Sequence, residues 1–291
     1  MKRSTFVAGA AALSLAPHSI EAATVQARVA AIARDVPGII GVYCRTLADA
    51  PPLIAYHAEA IFPTASTIKL LIMTTAFALE ERHPGTLAQE LVTHRRDLIG
   101  GSDFMIHARD GQRFTVAQLL VPMIQLSDNT ASNMLIDHFG MDAINRMGAT
   151  IGMRHTVLAR TFLDFTAIVH HQDNLTAPAD MGELLYRIAL GAREGVRTVV
   201  SATHCRRMIE IMLGQTDRDG IPAGLPHGIQ VANKTGEIDG TRNDMAIVEP
   251  FGDSPYVLAI FSKDVRDYAR MYRATHRLAR LSFESAGRSG A

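Results

Sequence analysis

The chain has no excess charge of either sign, because 29 Lys plus Arg balance 29 Asp plus Glu in 291 residues. It therefore lacks the basic face that a nucleic acid or an anionic membrane surface would attract. It also lacks internal repeats, low-complexity tracts and, after residue 23, any apolar run long enough to span a bilayer. These absences favour a globular protein with no nucleic-acid partner and no stable membrane insertion. We expect a monomer.

Cysteine is scarce, with only Cys44 and Cys205 in the chain. Neither has a second cysteine or a histidine pattern close by, which excludes a local metal-binding motif of the CxxC type. In an oxidising compartment the two thiols can form one disulfide. Two buried, unpaired thiols are at least as compatible with the spacing.

The N-terminus has the three parts of a secretory signal peptide. Lys2 and Arg3 precede a short apolar stretch, residues 6–16, and small residues follow as far as Ala22 and Ala23. A first helix packed on the domain is the alternative. The charged pair and the small residues favour export, so we predict a leader at residues 1–23 and a periplasmic or extracellular protein.

Helical and strand patterns occupy different parts of the chain. Strand patterns occur early and late, and helical patterns fill the middle and both ends. The predicted helices are residues 25–34, 67–82, 116–127, 130–139, 178–190, 201–213 and 265–283, and the predicted strands are residues 39–47, 53–57, 228–235, 244–248 and 256–262.

This order predicts an α+β fold. One antiparallel sheet is built from the N- and C-terminal segments and flanked by helices, and an all-helical lobe is inserted between them. We assign residues 24–58 and 214–291 to the α/β lobe and residues 59–213 to the helical lobe. A cleft between two such lobes is a natural binding site.

The first candidate motif is Ser66-Thr67-Ile68-Lys69, at the start of a predicted helix. A serine hydroxyl needs a base to become a good nucleophile, and a lysine three residues later lies on the same helix face. A lysine in a desolvated, cation-lined site can lose its proton near neutral pH. Taken alone, the motif also fits an N-cap serine followed by a solvated lysine.

Two further motifs have the same ambiguity when each is taken alone. Ser127-Asp128-Asn129 falls between two helical segments, where a turn can direct a hydroxyl and an amide into a cleft or simply cap a helix. Lys234-Thr235-Gly236 falls at the end of a predicted strand. A cation and a hydroxyl there can bind a carboxylate, or the lysine can be an ordinary surface residue.

All three motifs together, in this order, are typical of class A β-lactamases and penicillin-binding proteins. The chain resembles the class A β-lactamase family and its serine-hydrolase relatives over roughly residues 25–283. Residues 62–65 lead into Ser66 as in that family, and the run from Ser127 to Asn133 also follows the family pattern. Glu237 and Arg242 lie on the hairpin that the family uses to bind the substrate carboxylate.

The resemblance implies a mechanism without a metal or cofactor, acting on a β-lactam or a peptidoglycan-like substrate. It implies that Ser66 attacks the carbonyl and that backbone N–H groups of Ser66 and Glu237 hold the oxyanion. Lys69 would be the base or part of the relay, and Ser127 would pass the proton to the leaving nitrogen. The substrate-binding residues would be Asn129, Lys234, Thr235, Gly236, Glu237 and Arg242.

The loop after the Ser-Asp-Asn motif departs from the family. Class A enzymes carry a glutamate there that activates water for deacylation, whereas residues 163–174 contain no glutamate. Reading on from Leu163 and Asp164 without a gap, the glutamate position falls on Ala167. His170 and His171 are alternative bases in principle. The sequence favours two exposed loop residues over a catalytic pair, and a two-histidine metal site is favoured least. Three functions stay open: a β-lactamase with altered deacylation, a D,D-peptidase or esterase, and an acylated binding protein.

Overall fold

The computed structural model describes residues 17–102 and 104–287, with side chains from residue 24 onward. The described helices are α1 (Pro17–Arg34), α2 (Lys69–Arg82), α3 (Val116–Gln125), α4 (Asn129–Phe139), α5 (Met141–Thr150), α6 (Phe165–Val169), α7 (Pro178–Glu194), α8 (Ala202–Leu213) and α9 (Tyr268–Ser285). A single turn of 3₁₀ helix, Ala65–Ile68, precedes α2.

The main sheet is antiparallel and draws its strands from both ends of the chain. Its order is β2-β1-β9-β8-β7. The strands are β1 (Ile39–Thr46), β2 (Ile54–Tyr56), β7 (Val231–Ile238), β8 (Thr241–Val248) and β9 (Tyr256–Lys263), and the minor strand pairs are β3 (Phe62–Pro63) with β6 (Leu175–Thr176) and β4 (Glu90–Val92) with β5 (Arg113–Thr115). Strand β7, which carries the third motif, lies at one edge of the main sheet.

Helices cover both faces of this sheet, so its inner strands are apolar on both sides. In β9, Leu258 and Ile260 pack with α1 and α9, while Val257 and Ala259 pack with the helical lobe. Side chains alternate between the two faces along a strand, so burial on both sides produces a continuous apolar run instead of an alternating one. The α+β prediction is confirmed at this level.

Helix α2 runs through the centre of the helical lobe. Every residue from Lys69 to Ala78 is buried, so the helix is enclosed on all sides. The only charged side chain in that stretch is Lys69, at its N-terminal end. Its ammonium is therefore removed from water by the packing of the lobe and depends on local polar partners.

Several predicted boundaries differ from the structure. Residues 59–213 contain the minor strand pairs as well as helices. Strand β7 covers residues 231–238 instead of 228–235, so Lys234 and Gly236 lie within the strand. The chain turns later than predicted, after Ile238, where Gly240 has a left-handed φ of 70°. A glycine tolerates that backbone conformation without steric cost. The proposed division into residues 24–58 with 214–291 and residues 59–213 stays a prediction.

The predicted leader lies largely outside the described residues, and its residues 17–23 form the first part of α1. Cys44 and Cys205 are both buried free thiols, so the unpaired alternative agrees with the structure. Among the helices described, none combines the length and apolar content of a membrane-spanning segment.

Candidate active site

Ser66 lies in the 3₁₀ turn between β3 and α2. A 3₁₀ helix has three residues per turn, so residues three apart lie on the same edge. Ser66 and Lys69 are therefore placed on one side of the turn. Ala65, just before Ser66, has a left-handed φ of 46°, which is uncommon for a residue other than glycine. Strained backbone of this kind is concentrated at functional sites.

The Lys69 ammonium is fully buried and has three oxygen partners. Its Nζ donates to the Ser127 carbonyl at 2.6 Å, to Ser127 Oγ at 3.2 Å and to Asn129 Oδ1 at 2.9 Å. These contacts use all three donors of an ammonium group. They join the first and second motifs into one cluster.

The pKa of Lys69 is lowered well below its ordinary value. Burial is the largest cause, and the positive charge of Lys234 adds to it, while Asp128 opposes the shift. Burial and a like charge both disfavour the protonated form of an amine. Lys69 therefore becomes neutral, and available as a base, at a lower pH than a solvated lysine does.

The Ser127 turn is fixed by the neighbouring aspartate. Asp128 is buried and caps α4 by accepting from the Ala131 N–H at 2.8 Å, and it also accepts from the Met105 N–H at 3.0 Å and from the Ser102 hydroxyl. Ser127 itself has a left-handed φ of 56°. The buried carboxylate therefore holds a strained turn that directs Ser127 and Asn129 toward Lys69.

Lys234 brings the third motif to the same hydroxyl. Its side chain is fully buried. The Lys234 Nζ donates to Ser127 Oγ at 3.1 Å and to the carbonyl oxygen of the next residue, Thr235, at 2.8 Å. Burial lowers the pKa of Lys234 to about 8, partly offset by Asp244. Ser127 Oγ thus lies between two amines, which suits a proton relay.

Gly236 allows strand β7 to approach the nucleophile closely. A Cβ atom built on Gly236 would lie 2.8 Å from Thr64 O and 3.0 Å from Ser66 N. A side chain here would displace the turn that carries Ser66. This close approach to another backbone explains the glycine of the third motif.

Glu237 and Arg242 occupy the opposite face of the β7–β8 pair from Lys234 and Gly236. They are directly paired across the two strands, and both contact α9. Glu237 accepts from the Tyr272 hydroxyl, while the Arg242 guanidinium stacks 3.8 Å from the Tyr268 ring centroid. The structure therefore places these two predicted substrate-binding side chains beside each other, on the face of β7 that also carries Thr235.

Ala167 is the loop residue at which counting without a gap places the glutamate of class A enzymes. Ala167 lies in α6, where its N–H donates to the Asp164 carboxylate at 3.0 Å. The loop side chain that reaches the cluster is Phe162, whose ring centroid lies 4.3 Å from Lys69 Nζ. Leu163, with a φ of 57°, turns the chain directly after Phe162. The assignment of the glutamate position to Ala167 stays a prediction.

Phe162 is held by contacts that sequence reasoning missed. Asn133 on α4 accepts from the Phe162 N–H at 2.8 Å and donates to its carbonyl at 3.0 Å. Arg160 and Asp173 close the base of the loop through a 2.8 Å ion pair. The opposite charges of that pair lie 13 residues apart in the sequence. They are the signal from which the two ends of the loop could have been recognised.

The other loop groups with acid–base chemistry have different roles. Asp164 caps α6 and Asp173 pairs with Arg160, while His170 and His171 are exposed. Over the described ranges, no three His, Cys, Asp or Glu side chains are grouped as metal ligands.

Comparisons with known proteins agree with this geometry. A model of the β-lactamase enzyme family matches residues 24–285. The chain belongs to this family. It is 31% identical over 253 residues to β-lactamase CTX-M-8 of Citrobacter amalonaticus, covering 86% of this chain and 84% of that protein.

Solved structures show the same relationship. A β-lactamase from Desulfarculus baarsii superimposes with a TM-score of 0.81 at 30% identity, covering 92% of this chain and 99% of that one. PBP-A superimposes with a TM-score of 0.79 at 25% identity, covering 90% and 95%. The resemblance to class A β-lactamases and the fold predicted from it are both confirmed.

Proposed function

We propose that this family member is a serine hydrolase in which Ser66 opens β-lactam rings and retains the product as a long-lived ester. The Ser66 oxygen bonds to the carbonyl carbon, and the bond from that carbon to the ring nitrogen breaks. The serine proton ends on the nitrogen, so atoms and charges balance. The sequence relatives named β-lactamases support this reaction class.

The proton route uses the buried amines. Neutral Lys69 takes the Ser66 proton, and Ser127 passes a proton to the leaving nitrogen. The 3.2 Å and 3.1 Å contacts of Ser127 Oγ with Lys69 and Lys234 support this relay. Positioned proton transfer of this kind contributes about 10²–10⁴-fold in rate.

The remaining predicted residues surround the acyl group. The Asn129 amide holds the substrate amide, and Lys234 with Thr235 attracts a carboxylate. Gly236 leaves room for the substrate at the edge of β7, and the backbone N–H groups of Ser66 and Glu237 hold the oxyanion. One oxyanion donor contributes about 10²–10³-fold.

The observation that carries the proposal of a long-lived ester is the Phe162 ring against Lys69. A general base must lie within hydrogen-bonding reach of the water that it activates. An aromatic ring cannot accept a proton, and it also excludes water from the side of Lys69 that it covers. The ester at Ser66 therefore forms normally and hydrolyses slowly.

A second candidate is a D,D-peptidase- or esterase-type enzyme; a protein acylated by β-lactams with negligible turnover is the limiting case of the first. The Phe162 contact favours this candidate as well, because it affects release of the acyl group and leaves the acylating cluster complete. The two candidates differ in which acyl donor is released within seconds and which remains bound.

Time-resolved intact mass spectrometry with penicillin G and a chromogenic cephalosporin tests the proposal. We expect an adduct of the whole penicillin that forms within the first samples and persists, located on Ser66 by peptide mapping. Ser66→Ala abolishes it, while Ser285→Ala, at the end of α9, keeps it. An adduct elsewhere contradicts the nucleophile, and an adduct that clears while colour develops contradicts the long-lived ester.

Export and assembly complete the proposal. We infer a protein exported to the periplasm or beyond, since residues 1–23 have the pattern of a leader, and we keep a monomer as the default expectation. Cell fractionation with N-terminal sequencing tests export, and light scattering of the purified protein tests the monomer. A cytoplasmic protein that begins at Met1 contradicts the first inference, and a stable dimer contradicts the second.

A further inference from the structure

The Arg242 guanidinium is engaged by its own hairpin and by Glu237 through its Nη1 and Nε donors. Its Nη1 donates to the carbonyls of Ile238 at 2.9 Å and Thr241 at 2.7 Å, both in its own hairpin. Its Nε lies 3.4 Å from Glu237 Oε1, and its plane stacks on Tyr268. A guanidinium has five N–H donors in a fixed plane, so these contacts also fix its direction.

The Glu237 carboxylate occupies the place of an incoming anion at Arg242. It is held from the other side by the Tyr272 hydroxyl, so two elements, β8 and α9, fix its position. The space left between Thr235, Glu237 and Arg242 is about 10 Å³, room for one water molecule at most. A second carboxylate enters only if Glu237 leaves.

Other acidic groups near Arg242 strengthen this effect. Asp217 and Asp244 line the same small space as Glu237 and Arg242. Like charges brought together in a binding site cost free energy, and that cost discriminates between ligands. Among the groups that line this space, acids outnumber bases.

We propose that Glu237 is a specificity-determining residue that competes for Arg242, so that Ser66 prefers acyl donors without a carboxylate at this position, namely neutral esters and amides. The inference rests on the proposed acylation of Ser66 and names the class of donor. Anionic donors therefore react more slowly. They are not excluded, because Lys234 and Thr235 still attract a carboxylate.

Penicillin G and its methyl ester form the matched donor pair, since they differ only in this carboxylate. The measured quantity is the ratio of their second-order rate constants for adduct formation at Ser66. Glu237→Gln keeps the size of the side chain and an acceptor for Tyr272, but removes the charge. We expect it to shift the ratio about fivefold toward the acid, the upper end for a partly exposed ion pair.

Controls separate the possible causes. Glu210→Gln on α8 breaks a comparable exposed pair with Arg207 and leaves the ratio unchanged. Arg242→Ala changes the ratio little in the native background, but abolishes the gain in the Glu237→Gln background, because only there is the guanidinium free. Glu237→Ala is a second variant with the same expectation as Glu237→Gln.

The outcomes separate the role of Glu237 from the proposed acylation of Ser66. Acylation of Ser66 with a ratio that both Glu237 variants leave within about twofold overturns the role of Glu237 and leaves the proposed function intact. Absence of any adduct with either donor overturns the proposed function, and the inference falls with it. A shift that survives Arg242→Ala contradicts competition for Arg242.

Discussion

The Lys69 ammonium and the Phe162 ring are in contact, with Nζ 4.3 Å from the ring centroid. Whenever Lys69 is protonated, its cation over the aromatic face is attracted by about 0.5–2 kcal/mol, more when both groups are removed from water. Here both side chains are buried. The contact links the acylation base to the loop in which class A enzymes carry their second base.

Phe162→Glu places a carboxylate where the ring now lies. We expect decay of the penicillin adduct to accelerate at least about tenfold, since positioned general-base catalysis is worth about 10²–10⁴-fold when the geometry is ideal. Adduct decay is followed by intact mass spectrometry after the free penicillin has been removed. Phe165→Glu is the matched control, because Phe165 belongs to the same loop but is 71% exposed.

Phe162→Gln separates chemistry from packing. It loosens the loop as Phe162→Glu does, yet supplies no base, so its adduct decays no faster than that of the native protein. A folded Phe162→Glu variant, verified by a cooperative thermal transition, whose adduct persists like the native one rules out a missing base as the cause of the long-lived ester.

The site motifs were predictable from the sequence because each lies at an element boundary with a local signal. Ser127-Asp128-Asn129 interrupts two apolar helical patterns, and Asp128 is a typical N-cap residue. The loop residue beside Lys69 was not predictable by counting, since its position depends on Asn133 and on the Arg160–Asp173 pair. These are tertiary contacts that periodicity does not contain.

The fold shows the same division between local and tertiary information. Apolar runs identified the strands of the main sheet, and the layer order followed from where those runs occur. The extent of β7 was misjudged, because Gly236 resembles a turn residue while its real role is close approach to Ser66. The pairing of Glu237 with Arg242 depended on the corrected strand register.

The pH dependence of acylation reports on the two buried amines. Neutral Lys69 is the base, so its lowered pKa extends acylation to lower pH than a solvated lysine allows. Lys234 must be protonated to attract an anionic donor, and its pKa is lowered to about 8. We therefore expect the acylation rate with penicillin G to fall as the pH rises through about 8, because the attracting charge is lost.

The methyl ester of penicillin G provides the contrast in this pH profile. It carries no charge for Lys234 to attract, so its rate has no corresponding decline at alkaline pH. Lys234→Arg keeps its charge at all these pH values and removes the decline for the acid as well. An equal decline of the acylation rate at alkaline pH for the two donors contradicts the assigned role of Lys234.

Asp128→Asn tests the support of the Ser127 turn. An asparagine can still cap α4 through one oxygen, but its NH₂ group cannot accept the Met105 N–H or the Ser102 hydroxyl. Leaving buried donors unpaired costs about 1–3 kcal/mol. We expect a lower melting temperature and slower acylation. Asp110→Asn is the control, since its 70% exposed side chain accepts a single N–H bond, from Arg95; equal losses in both variants contradict a special role for Asp128.

Gly236→Ala tests the close approach of β7 to the nucleophile. The new methyl group would lie 2.8 Å from Thr64 O and 3.0 Å from Ser66 N, so the turn that carries Ser66 must move. Misplacing a reacting group by about 1 Å can cost about 10²-fold in rate. We therefore expect acylation of Ser66 to slow by about that factor, while the shift costs only about 1–3 kcal/mol of stability. The two effects are measured by adduct formation and by thermal denaturation, and an acylation rate equal to the native one contradicts the requirement for glycine.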